Sequence, residues 1–357
     1  MVGVSRAFMP VEVVFGPSWW HKRFGICFDR GFFFDPNRRV ADEQRMRSAL
    51  ADVLGDLGMG ERNAEPRPVI GAVHLAAGYI IAEALGCEMI FHDDAPPDVI
   101  PKLISDDEFE RWEPPALFHT QPMRDLRDMV DTLRSRFGYV EGDVNWSGMH
   151  NAAFDLRGSA LFTDYYDRPE AVKRFMDAMA DFLLEFVRYL DEVAGTSSIT
   201  VNRSILHIDP RLHVISNCTV SMVSAEFYSE FLAASERRLA KCLQPYGVHH
   251  CGDNMDRLAP AYADVEGIEF FDVGYGSDVK RCRGLLPDAF FNIRLSPGKM
   301  AVCSPDDIIS EVNRLAAASA RPELTGFCCI NLDHRVPDDN IRALYSAVAA
   351  LREKGSV

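Results

Sequence analysis

From about Leu117 onward, short apolar runs alternate with stretches whose apolar residues recur at helical spacing. The runs are Ser198 to Val201, Leu212 to Ser216, Tyr246 to His250, Ile268 to Val273, Phe290 to Leu295 and Gly326 to Leu332. Helices are predicted over Pro122 to Phe137, Pro169 to Val193, Ala225 to Leu243, Asp256 to Ala263, Pro305 to Ala318 and Asp338 to Lys354. A further strand is predicted at Tyr139-Val140, followed by a loop from Gly142 to Gly148. Strands alternating with helices of this length predict βαβ units and a parallel sheet. No G-x-G-x-x-G follows an early strand, which disfavours a dinucleotide-binding open sheet and favours a closed (β/α)8 TIM barrel. The first hundred residues break the rhythm. Trp19 to Gly25 and Phe32 to Pro36 are aromatic-rich and irregular, a helix is predicted from about Val40 to Leu57, and Pro66 to Val69 and Asp93 to Pro97 carry turn residues. We read 1–110 as an irregular N-terminal cap over one barrel end and 111–357 as the barrel core.

Composition fits that reading. A chain of 357 residues that is 47% hydrophobic can bury the core of one barrel with insertions, so one domain over 1–357 suffices. The formal charge of −15 leaves no basic field for phosphates, which excludes nucleic acid and anionic membrane surfaces as partners. No apolar run approaches about 18 residues, and Met1 to Arg6 lacks the form of a signal peptide, so a cytoplasmic protein is expected. The nine cysteines are odd in number and scattered, which reads as reduced thiols rather than a disulfide framework.

The candidate chemistry lies at the end of one predicted strand. His249-His250-Cys251-Gly252 closes the run from Tyr246, and Cys328-Cys329 lies in the last apolar run before the C-terminal helix. An imidazole and a thiolate two residues apart, joined by a distant thiolate, suit Zn²⁺ and leave its fourth tetrahedral position open, as catalytic zinc requires. In a barrel both elements reach one rim. Adjacent strand residues alternate in direction, so Cys328 and Cys329 cannot both ligate from a regular strand, and His250 reads as a packing residue beside His249. Asp143, Asn145, Trp146 and Asn217 fall near strand ends as candidate substrate-pocket residues. Cys218 reads as a buried structural thiol, as do Cys27, Cys87, Cys242, Cys282 and Cys303, and the aromatic residues at 19–20 and 32–34 read as core.

The order His-x-Cys-Gly after a strand, a later strand bearing Cys, and Pro337-Asp338-Asp339-Asn340-Ile341 opening a terminal helix resembles the uroporphyrinogen decarboxylase superfamily. Its Cys-bearing form resembles the zinc-dependent, cobalamin-dependent methyltransferases of that superfamily. Ser304-Pro305-Asp306-Asp307-Ile308 is similar to the family's G-T-P-E-E-V helix start, and Gly86-Cys87-Glu88 to its early G-C-E turn. The resemblance covers most of the chain and weakens before about residue 70. It implies a TIM barrel, a zinc held by His249, Cys251 and one of the vicinal cysteines, and methyl transfer between a methylcorrinoid (methylcobalamin) carried by a partner corrinoid protein and a small acceptor such as a thiol. Counting back eight residues from Pro337, where the decarboxylase branch places its Gly-His-Gly histidine, selects Cys329; the shorter loop of some methyltransferases makes no choice, and Cys328 stays open. The R-Q-A-G-R stretch of the decarboxylase branch is missing from Ser18 to Gly25, which makes a tetrapyrrole decarboxylase the weaker reading, with Arg23, Arg30, Arg157, Arg294 and Arg335 as scattered candidates for a basic pocket. No D-x-H-x-x-G corrinoid-carrying element is present. A non-catalytic corrinoid-binding protein is the third reading.

Overall fold

The structure, a computed structural model, describes residues 7–70, 79–142, 144–194, 209 and 211–355. Among the described residues eight strands are formed: β1 (Val11–Phe15), β2 (Glu88–Ile90), β3 (Asp98–Ile100), β4 (His213–Asn217), β5 (Tyr246–His250), β6 (Ile268–Val273), β7 (Phe290–Arg294) and β8 (Thr325–Leu332). Six of them make one curled parallel sheet in the order β1-β8-β7-β6-β5-β4, while β2 and β3 form a separate antiparallel pair. Isolated parallel bridges continue past β4, from Ser216 to Ser147, and link Glu141 to Val69. The expected Tyr139-Val140 strand is thus reduced to a bridge at Glu141, and the run Ser198 to Val201 lies outside the described residues.

The strands read as apolar because a parallel sheet under helices is buried on both faces. Every residue of β1, β4, β5 and β7 is buried. One face meets the helices in the main core. The other carries two smaller clusters, Leu212, Val214, Phe270 and Phe290 in one and Val14, Cys328 and Ile330 in the other, and forms the inner side of the curl. β1 corrects the reading of 1–110 as a cap: this stretch supplies a sheet strand, paired with the last strand of the chain. The aromatic run that hid it is core, because Trp19 and Trp20 lie on the helix Pro17–Phe24 that follows β1 and are fully buried.

Local signals account for the helix boundaries. Ser304 caps Pro305–Ser319 with a reciprocal box, its Oγ accepting from the Asp307 amide at 3.3 Å while the Asp307 carboxylate accepts from the Ser304 amide at 3.1 Å. Among the described residues no helix is long and apolar enough to cross a membrane. Because all six sheet strands run the same way, their carboxyl ends open on one rim.

Candidate metal centre

Register assembles the rim. Ser216 pairs with His249, His249 with Asp272, and Asp272 with Asn292, so one level of the inner face carries four polar side chains across four strands. Two residues beyond Ser216 stands Cys218, and two beyond His249 stands Cys251. Cys218, His249 and Cys251 each offer one ligand atom, and these atoms lie within 4.8 Å of one another.

Each position is held from outside. Asn151, on the helix Met149–Arg157, donates to the Ser216 carbonyl at 2.7 Å and accepts from the Thr219 amide at 2.9 Å and its hydroxyl at 2.7 Å, which fixes the turn that carries Cys218. Gly252 must lack a side chain: a Cβ there would stand 2.6 Å from Ser221 Cβ, on the same turn. At Gly274, after β6, a Cβ would fall 1.7 Å from the Gly252 carbonyl oxygen. The two glycines let three strand exits crowd together. Asp272, fully buried, contacts His249 Nδ1 at 2.8 Å and accepts from Asn292 Nδ2 at 2.8 Å, so the other imidazole nitrogen is left for the thiols.

The electrostatics follow from this packing. The Cys218 thiol donates toward Cys251, which raises its own pKa, with burial acting the same way. That donation pulls the Cys251 thiol well below its usual range; burial opposes the shift, and His249 and Arg294 add to it. Burial works against charge on His249, yet the bonds to Asp272 and Cys251 raise its pKa. Of the two thiols, Cys251 is the one whose charged form this packing favours, beside an imidazole. One nitrogen and two sulfurs in this arrangement fit Zn²⁺, which favours soft thiolate and imidazole donors.

The Uroporphyrinogen decarboxylase (URO-D) family profile matches residues 71–351. The chain belongs to that family. A methylated-thiol–coenzyme M methyltransferase of Methanosarcina mazei is 28% identical over 197 residues, 53% of this chain and 48% of that protein. The alignment therefore spans about half the length of that relative. A solved methyltransferase from Methanosarcina mazei shares the fold with a TM-score of 0.68 at 16% identity, over 96% of this chain and 94% of that one.

Within this URO-D family chain the sequence-predicted residues separate. His249 and Cys251 stand together, and the structure adds Cys218, read from sequence as a structural thiol. Cys328 and Cys329 lie outside the cluster of three. Cys329 packs in the helix-side core, its thiol 3.5 Å from the Leu295 carbonyl, while Cys328 faces inward in register with Arg294 and Glu12. The strand alternation thus turns Cys329, chosen by counting back from Pro337, away from the rim. Burial pushes both thiols up, Cys329 to about 12. His250 engages Tyr262 at 3.0 Å and Asn254 at 3.1 Å through its two ring nitrogens, and burial lowers its pKa to about 4. Asn145 accepts from Ser216 Oγ at 3.2 Å, next to the His249 level. Asn217 instead donates to buried Glu236 at 3.3 Å, and Trp146 is in the helix-side core, so neither faces the rim; Asp143 is outside the described residues. Sequence reasoning missed Asp272 and Asn292, although a carboxylate and an amide inside the apolar runs Phe270-Phe271-Asp272-Val273 and Phe291-Asn292-Ile293 are the signal of a buried polar group with a task.

Proposed function

We propose that this chain is a zinc-dependent methyltransferase that moves a methyl group between a methylcorrinoid carried by a partner protein and a small thiol acceptor. On this reading the chemistry sits on the rim of an eight-stranded barrel, and the isolated parallel bridges at Val69, Glu141 and Ser147 support two further strand positions beyond β4. The observation that carries the reading is the convergence of Cys218, His249 and Cys251 on one point at the strand ends. The methylated-thiol and coenzyme M chemistry in the name of the Methanosarcina relative supports a thiol acceptor. When bound, zinc would keep an incoming thiol, whose free pKa is about 8.5, in its thiolate form. The chain's own residues supply orientation. Asp272 and Asn292 fix the imidazole, Asn151 fixes the Cys218 turn, and the strand ends hold these groups rigidly enough for in-line transfer. In the transfer the acceptor sulfur gains the methyl group, the cobalt–carbon electron pair stays with the corrinoid, and the thiol proton leaves to solvent.

A tetrapyrrole decarboxylase would need a basic pocket, and four of the five candidate arginines are engaged elsewhere. Arg23 pairs with Asp338, Arg30 with Glu83 and Asp125, Arg157 with Asp164 and Asp106, and Arg335 with Asp333. The test is turnover with methylcobalamin and a thiol, followed by loss of the methylcobalamin absorbance and by mass of the thioether. Thioether formation is expected. Turnover of a carboxylated tetrapyrrole with no methylation of any thiol would replace this reading by the decarboxylase one, and binding of methylcobalamin without turnover would leave a corrinoid-binding protein.

Positioning by Asp272 makes its own prediction. Asp272→Ala is expected to weaken zinc binding about 10–100-fold in competition with a chromophoric chelator, the range seen when a partner of a ligating histidine is removed. Unchanged affinity would mean that strand packing alone orients His249.

A further inference from the structure

Cys218 and Cys251 sit on turns that leave the neighbouring strands β4 and β5, and a line of hydrogen bonds that the site as described does not use joins the two turns. Asn254, which opens the helix Met255–Ala263, donates through Nδ2 to the Ser221 carbonyl at 2.9 Å. A carbonyl only accepts, so Oδ1 of the same amide is the atom that faces His250 Nε2 at 3.1 Å. Nε2 must then carry the ring proton. Burial lowers the pKa of His250 to about 4 and keeps the ring neutral, so Nδ1 accepts, and the hydroxyl of buried Tyr262 donates to it at 3.0 Å. At the other end, Ser221 Oγ donates to the Cys218 carbonyl at 3.1 Å. The side-chain line thus runs from Tyr262 through His250 and Asn254 to Ser221 and the Cys218 turn, and every donation points the same way.

Packing alone does not account for this line. Bonds aligned in one direction polarise one another in a buried site. The line also passes beside the residue that follows Cys251: a Cβ on Gly252 would stand 2.6 Å from Ser221 Cβ and 2.9 Å from Asn254 Oδ1. Tyr262, at its start, is held by the rings of Tyr228 and of Phe271 on β6, with centroids 5.0 and 5.3 Å away. We propose that His250 is a positioning residue that sets the separation of the Cys218 and Cys251 sulfurs, by tying the turn of the first to the helix that follows the second. The inference rests on the reading of Cys218, His249 and Cys251 as a metal centre and deepens it: the residue between the two ligands at the end of β5 holds the turn of the third. A leucine at 250 would fill the space but leave Asn254 Oδ1 and the Tyr262 hydroxyl without their partner.

Titration of Co²⁺ into the metal-stripped full chain tests this, with the thiolate-to-cobalt charge-transfer and d–d bands as the readout. His250→Leu is expected to bind Co²⁺ about 10-fold more weakly than the wild type and to shift the d–d bands as one sulfur moves. His250→Gln keeps an amide nitrogen that can donate to Asn254 Oδ1, and it is expected to stay within about threefold of the wild type with the same bands. Ser221→Ala is expected to cost about threefold alone and nothing further on top of His250→Leu, because the line is already broken. Tyr262→Phe removes a single hydroxyl from the start of the line and takes the place of His250→Leu in that comparison should the latter fold poorly. Wild-type affinity and bands in His250→Leu, an equal loss in His250→Gln, or costs that multiply in the double variant overturn the positioning role. A wild type that shows no thiolate-to-cobalt band sinks the metal centre and this inference with it, a result distinct from a wild-type band that the variants leave unchanged.

Discussion

Cys251→Ser is expected to purify with less than about 0.1 zinc per chain where the wild type carries about one, with the far-ultraviolet circular dichroism unchanged. The hydroxyl of Ser is neither soft nor ionised near neutral pH, so the site loses the sulfur that is most acidic in this structure. The fold does not lean on it. Cys251 follows β5, which is buried throughout and flanked by β4 on one side and β6 on the other. Cys218→Ser is expected to behave in the same way, because its sulfur belongs to the same cluster. Cys329→Ala should keep its zinc and cost only packing, on the order of 1 kcal/mol, since its side chain lies in the helix-side core. Elemental analysis of the wild type, these three variants and Cys328→Ala decides among the thiols. Full zinc in Cys218→Ser together with its loss in Cys328→Ala would move the third sulfur to β8, where Cys328 faces the same interior.

These variants also mark where the sequence was legible. Tyr246-Gly247-Val248-His249-His250 reads as a strand, and β5 has those same bounds, because a strand buried on both faces is one uninterrupted apolar run closed by turn residues. β1 was hidden by the aromatic run that follows it and by Glu12, a residue depleted in strands, whose place opposite Cys328 becomes evident only once β1 pairs with the end of the chain. Cys218 stands 33 residues before Cys251, and no local spacing joins them. Their meeting depends on the pairing of Ser216 with His249, which puts the residues two steps further along each chain on the same level of the rim. Register between neighbouring parallel strands is a tertiary fact. The vicinal pair shows the converse: alternation states that only one of Cys328 and Cys329 faces inward, but choosing between them needs the strand's phase against its neighbours, which a count from Pro337 does not supply.

Stripping the metal with a chelator is expected to lower methyl transfer from methylcobalamin to 3-mercaptopropionate by at least about 100-fold at neutral pH, and zinc should restore it. A thiol with a pKa of about 8.5 is only a few per cent ionised near pH 7, so part of the loss comes from the missing nucleophile and the rest from its lost placement. The protein itself cannot replace the metal by acting as a base on the thiol. His249 is held by Asp272 and Cys251, and His250 is buried with both ring nitrogens engaged. Raising the pH of the stripped protein should recover only the ionisation part of the rate, so the deficit at pH 9.5 measures what placement contributes. Full activity in stripped protein at neutral pH would mean that Cys218, His249 and Cys251 serve the reaction without a metal, with the Cys251 thiolate itself as the group to test next.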